Sequence, residues 1–149
     1  MTSPDGAPAA HLEHVNPPEL GVPLGFSHAV VGTGRLVVLA GQTALDETGT
    51  IVGDGVVEQF DRALGSLLTA LRAAGGAPEH LAGLTVYAVD LGDYRAHSRE
   101  IGAVWKRRVG RTYPAMAGIG VSRLWDVEAL VEVQGIAILP PLPDGQGAR

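Results

Sequence analysis

Apolar positions in this chain change rhythm along its length, and each change marks an element. Between Asp54 and Ala74 the residues Val57, Phe60, Leu64, Leu67, Leu68 and Leu71 recur at helical spacing. Asp54 is placed to cap the start and Gly75-Gly76 to stop the end. A second helical pattern, from about Tyr94 to Val109, puts Tyr94, Ile101, Val104 and Trp105 on one face. Asp93 stands as its cap, and Lys106, Arg107 and Arg108 suit the negative end of the helix dipole. Short alternating runs predict strands elsewhere: two around a turn at Thr33-Gly34 within His28–Gln42, one over Leu84–Val89, and two over Ala115–Val121 and Ala129–Ile138. Pro114 bars any continuation of the second helix.

The predicted order is ββαβαββ, an α+β domain with a mixed sheet and both helices on one face. The last strand bears on the other face. One parity carries Val131, Val133, Gly135 and Ala137, and the other carries Leu130, Glu132, Gln134, Ile136 and Ile138. Both are largely apolar, and a chain this short has nothing left to cover the second face. A homo-oligomer with its sheets packed inward is therefore expected.

At 149 residues and 46% hydrophobic content, the chain fits one domain with a real core. Residues 1–10 and 140–149 are rich in Pro, Gly, Ala and Asp and are expected as flexible tails around a domain over 11–139. The formal charge of −5 opposes binding to nucleic acid or an anionic membrane. There is no cysteine, so disulfides, a thiol nucleophile and cysteine-ligated metal are excluded. The N-terminal stretch has neither a basic leader nor an apolar signal core, and no apolar run reaches membrane-spanning length, so a cytoplasmic location is expected. The histidines show no metal spacing. Ser27 lies outside any nucleophile-elbow context, and Gly118-Ile119-Gly120 falls inside a strand rather than in a dinucleotide loop.

One residue breaks the apolar pattern. Glu132 interrupts LVEVQGIAIL, where an unpartnered carboxylate removed from water costs several kcal/mol. Such a group is kept for pairing, here with Arg123 or another arginine, or for chemistry.

Several motifs, in order, resemble the RidA/YjgF family of imine and enamine deaminases. They are Phe26-Ser27-His28-Ala29, Ala40-Gly41-Gln42, Ile51-Val52-Gly53 before a helix with Glu58-Gln59, and Thr85-Val86-Tyr87. Asp90-Leu91-Gly92-Asp93-Tyr94, Tyr113-Pro114-Ala115, Val121-Ser122-Arg123-Leu124 and Leu130-Val131-Glu132-Val133 complete the set, spanning roughly 15–138. The resemblance implies a chorismate-mutase-like fold assembled as a homotrimer, with small-molecule clefts between subunits and no cofactor. It also implies that Glu132 orients or activates the water that attacks an imine carbon. Desolvation in an apolar cleft disfavours an ionised carboxylate, and a carboxyl poised between its two forms can both accept and deliver protons.

The chain departs from the family pattern at the substrate end. The family carries an arginine after the Pro-Ala of the penultimate strand, where it grips the carboxylate of a 2-iminoacid; here that residue is Met116. A thioether gives a soft apolar wall in place of two charge-assisted hydrogen bonds, a loss on the order of a hundredfold in transition-state stabilisation. Ala117 and Gly118 are smaller than the family's residues, and Phe26 replaces a tyrosine. The implied pocket, lined by Phe26, Gly41, Met116 and Gly118 with Arg123 and Trp125 at its loop, is larger and less polar. Trp125 fits a subunit contact equally well, and His28 is otherwise a polar strand residue.

The expected function is general acid/base chemistry by Glu132 on an imine, enamine or related carbonyl-derived substrate, bulkier and less acidic than 2-aminoacrylate and suited to secondary metabolism. Hydration, dehydration and tautomerisation are alternative reactions. A catalytically silent ligand-binding or protein-interaction trimer is the alternative from another class. Ribonuclease activity, sometimes ascribed to the family, fits poorly with the charge.

Overall fold

The computed structural model describes residues 12–143. The expected tails, residues 1–10 and most of 140–149, lie outside them. Among the described residues, besides two short 3-10 turns, nine strands and α-helices follow one another: β1 (Glu13–Val15), β2 (Ala29–Val31), β3 (Arg35–Gln42), α1 (Val56–Ala73), β4 (Leu81–Ala88), α2 (Leu91–Ala96), α3 (Ser98–Arg108), β5 (Ala115–Gly120) and β6 (Val131–Leu139). Four strands form a mixed sheet in the order β3-β6-β4-β5, with β4 and β5 parallel and the other neighbours antiparallel.

Helix α1 lies across β6 and β3, with α3 beside it. Phe60, Leu64, Leu67, Leu68 and Leu71 are fully buried along one stripe of α1. They meet Val131, Val133, Ala137 and Leu139 of β6 and Ile101, Val104 and Trp105 of α3 in one core. Burying each such side chain is worth about 1.5–3 kcal/mol, so this stripe holds the layers together. Gly135 belongs to the same buried parity, and a Cβ there would stand 2.8 Å from the Gly83 carbonyl oxygen. Asp61 of α1 takes the guanidinium groups of both Arg107, at 2.8 Å, and Arg108, which lies over Gly65. Two of the three terminal cations therefore tie α3 to α1, beyond any dipole effect.

Three local expectations are corrected. The predicted hairpin at Thr33-Gly34 does not form: β2 pairs antiparallel with β1, and β3 pairs with β6. Helix α1 starts at Gly55 without a side-chain cap, while Glu58 reaches back to the Asp54 amide at 2.8 Å. The second helical segment begins at Leu91, capped by Asp90 through the Asp93 amide, and breaks at His97 into two helices. His97 leaves helical geometry and bonds the Asp93 carbonyl through its ring, a local alternative to the helix ladder. Among the described residues no helix is long and apolar enough to cross a membrane.

Burial alternates along β6. Its odd residues face the helices, while Ile136, opposite Val38, and Ile138, opposite Leu36, face away. In the single chain Leu36 is 65% exposed, Val38 74% and Ile136 44%, an apolar sheet face that none of the described residues covers.

Candidate functional site

The register of the sheet places Glu132 between Tyr87 of β4 and the end of β3. Pairing of β3 with β6 is regular through Leu39 and resumes at Gln42, so Ala40 and Gly41 form an irregularity in the ladder. Such bulges re-aim side chains beside functional sites. Here the bulge brings the Gly41 Cα under the Glu132 carboxyl: a Cβ at Gly41 would lie 2.9 Å from Glu132 Cδ and overlap its Oε1. Glu132 is half-buried and makes no hydrogen bond or ion pair with any described residue. An acidic group without a partner among the described residues, on a largely apolar face, is available for chemistry or for a group from outside the protomer.

The strand that carries Glu132 is anchored at its entry by a residue named above only as part of a motif. Gln59 of α1 is 3% exposed, donates to the carbonyls of Gly53 and Glu128 at 3.2 Å each, and accepts from the Leu130 amide at 2.8 Å. A buried amide in a helix stripe is the sequence signal that could have marked it.

Phe26, Met116 and Gly118 come together around a cavity of about 320 Å³, with Tyr94 on its wall. The ring of Phe26 meets His28 edge to face at 5.1 Å, and His28 turns to the Gly21 carbonyl, away from that cavity's lining. Met116 pairs with Leu84 and Gly118 with Val86, both of the buried parity, whereas Glu132 is on the open face. From strand spacing and rise, the Cα atoms of Glu132 and Met116 are about 14 Å apart. One protomer therefore holds two separate clusters, Gly41 with Glu132 and Phe26 with Met116 and Gly118.

Arg123 and Trp125 join neither cluster within the protomer. Trp125 is 92% exposed, and Arg123 donates to the carbonyls of Leu124 and Trp125. The ion pair between Glu132 and Arg123 is absent. Ser27 is buried and donates its hydroxyl to the Tyr113 carbonyl at 2.6 Å, while His14 Nδ1 contacts the Ser27 hydroxyl oxygen at 3.0 Å. With its proton committed to a carbonyl, the serine pins β5 to the N-terminal segment and is no nucleophile. No group of three or more His, Asp or Glu side chains that could hold a metal ion occurs among the described residues.

The titratable groups with displaced pKa values lie away from Glu132. Partial burial of Asp61 resists ionisation, but hydrogen bonds from Arg108 and Arg107 outweigh it and hold the carboxyl below its usual range. Burial pushes the Tyr94 hydroxyl up to about 12, so it stays protonated. The Asp93 carbonyl and carboxylate raise His97.

Known proteins share this fold and sequence over most of its length. The protein-family profile described as Endoribonuclease L-PSP matches residues 19–139. A goat (Capra hircus) protein named 2-iminobutanoate/2-iminopropanoate deaminase is 31% identical over 118 residues, covering 78% of this chain and 82% of its own. A RutC family protein of Pyrococcus abyssi is 31% identical over 116 residues, covering 77% and 87%. Among solved structures, a Rid-family protein of unknown function from Yersinia pestis superposes with a TM-score of 0.78 at 31% identity, covering 87% of this chain and 99% of that one. The E. coli protein TdcF, solved with bound serine, gives 0.63 at 25% identity, covering 80% and 91%. Fold, motif order and these matches agree: the chain belongs to the Rid (YjgF/RutC) family.

Proposed function

We propose that this chain is a Rid-type enzyme that hydrolyses an imine or enamine by general acid/base chemistry at Glu132. The site is a cleft between copies of the chain in a homotrimer. The observation that carries the reading is the half-buried Glu132 carboxyl, seated on Gly41 without an internal partner. The exposed apolar face of Leu36, Val38 and Ile136 supports assembly, and assembly supplies what one protomer lacks. Gly41 and Glu132 of one copy then meet Phe26, Met116 and Gly118 of the next. Relatives named as imine deaminases support the reaction class.

In this scheme the imine nitrogen first takes a proton from solvent, and Glu132 takes a proton from water as the water oxygen bonds to the carbon of that iminium. The resulting carbinolamine collapses when the carboxylic acid returns its proton to nitrogen. The C–N bond breaks and ammonia leaves, while the hydroxyl proton passes to the Glu132 carboxylate and on to solvent as the carbonyl forms. An enamine first takes a proton at its β-carbon, which converts it to the imine. A carboxyl that acts first as base and then as acid accounts for about 10²–10⁴-fold in rate. The reaction needs no cofactor. With Met116 in the arginine's place, the substrate is bulkier and less acidic than 2-aminoacrylate.

The test is imine hydrolysis, with imines made in situ by an amino-acid oxidase, compared between wild type and Glu132→Gln. A loss of two or more orders of magnitude is expected, and equal rates would remove Glu132 from the mechanism. The rival reading, a trimer that binds without turnover, draws on the missing arginine. It predicts thermal stabilisation by a metabolite with no chemical change to it.

A further inference from the structure

Resting on the imine-hydrolase reading of this cleft, we propose that the substrate carries a neutral, apolar group, an aromatic ring or branched alkyl with one hydrogen-bond acceptor. That group occupies the cavity beside Met116, with the Tyr94 hydroxyl as its donor. Two hollows adjoin there. The outer one, about 320 Å³, lies against Phe26, Met116 and Gly118. The inner one, about 250 Å³, reaches Phe60, Gly102 and Trp105. Gly25, Tyr94 and Met116 line both, and neither lining contains a charged side chain. An anionic group placed there would lose its hydration without gaining a cation, so the walls select against a carboxylate.

The space is unfilled by the protein itself. A Cβ built on Gly25, Gly102 or Gly118 meets nothing within 4 Å, although these residues come from a loop, from α3 and from β5. Their small size leaves room of the kind that a ring or branched chain fills. Of the polar groups along these walls, the Trp105 indole donates to the Thr112 carbonyl at 3.1 Å, Tyr113 stacks on Trp105, and Ser98 is exposed. Tyr94 is the polar side chain common to both hollows. Its ring meets Phe60 edge to face at 6.0 Å, and its hydroxyl has no hydrogen bond to any described residue. A partly buried phenol hydroxyl on the cavity wall is a donor, and a neutral carbonyl, ether or imine nitrogen on the ligand accepts from it. At the rim, Leu24 remains 87% exposed and supplies apolar surface for a ligand to cover.

The chain has two methionines, so labelling with [methyl-13C]methionine gives one signal from Met1 and one from Met116. Acetophenone is the probe. The proposal expects a saturable shift of the Met116 methyl on titration with acetophenone, with Met1 unmoved and benzoate at least tenfold weaker. Tyr94→Phe should weaken acetophenone by about three- to tenfold, the effect of one hydrogen bond. Gly102→Leu, a better helix former that projects into the inner hollow, should abolish the shift. Gly118→Leu closes the outer hollow from the edge strand and serves if the helix variant is unstable. An unmoved Met116 methyl up to the solubility limit of acetophenone, benzoate binding as tightly as the ketone, or full binding by both leucine variants would overturn the proposal. The two readings fail separately. If acetophenone shifts Met116 but Glu132→Gln hydrolyses imines at the wild-type rate, the cavity stands and the acid/base role falls. If Glu132 governs hydrolysis of small 2-iminoacids and the Met116 methyl does not move, the enzyme stands and this substrate class falls.

Discussion

Replacing Gly41 by alanine tests the seat of Glu132 directly. Gly41 lies outside the left-handed region of backbone conformation, so alanine fits its φ without strain. A Gly→Ala change at such a site stabilises by about 0.4–1 kcal/mol through the unfolded chain. Against this, the new methyl would stand 2.9 Å from Glu132 Cδ and 3.3 Å from Cγ, and would overlap the carboxyl oxygen. The Glu132 side chain has to swing to another rotamer, at about 0.5–1.5 kcal/mol if it leaves a staggered well. Stability therefore changes by no more than about 1 kcal/mol, because the two effects oppose each other. The carboxyl, however, moves by an ångström or more, and a displacement of that size costs on the order of 10²-fold in rate, about 2.7 kcal/mol in transition-state stabilisation. Urea unfolding and kcat/KM for imine hydrolysis, measured on the same preparations, separate the two effects. The double variant Gly41→Ala/Glu132→Gln should be no slower than Glu132→Gln alone, since both changes remove the same group. Wild-type kcat/KM in Gly41→Ala, or a rate loss that only follows lost stability, would refute the geometry argued here.

Three further outcomes follow from the same structure. Gln59→Leu removes three part-buried hydrogen bonds between the buried Gln59 amide and the backbone of Gly53, Glu128 and Leu130, and should cost about 2–4 kcal/mol in urea unfolding; a loss under about 0.5 kcal/mol would deny its anchoring role. Asp61→Asn should cost under about 1 kcal/mol at neutral pH, since the Asp61 pair with Arg107 and Arg108 is partly exposed and screened. Because the folded carboxyl titrates below its usual 3.8, that contribution is present above this pH and disappears as pH falls through the lower folded value. The unfolding free energies of the two proteins should therefore converge in acid and stay parallel above it. Val38→Glu puts a charge on the open sheet face, where Val38 is 74% exposed, and should convert the proposed trimer to single chains in light scattering without unfolding the protomer. An unchanged assembly mass would place the interface elsewhere.

Much of the architecture was legible from local pattern. The stripe from Phe60 to Leu71 and the stop at Gly75 gave α1, and the two parities of β6 showed that both faces of the strand are largely apolar. Glu132 and Met116 stood out because each breaks a pattern, one of polarity and one of family motif. These features depend on spacing within a single element, which the sequence records directly. What tertiary structure decided is non-local. β2 left its sequence neighbour to pair with Glu13–Val15, and β6 inserted between β3 and β4. The bulge that slides Gly41 beneath Glu132, the three bonds of Gln59 and the empty space around Tyr94 likewise join residues far apart in the chain. Local periodicity states which side chains leave water. Which distant side chains they then meet is settled by strand register and the packing of layers, and that carries no signal at any one position.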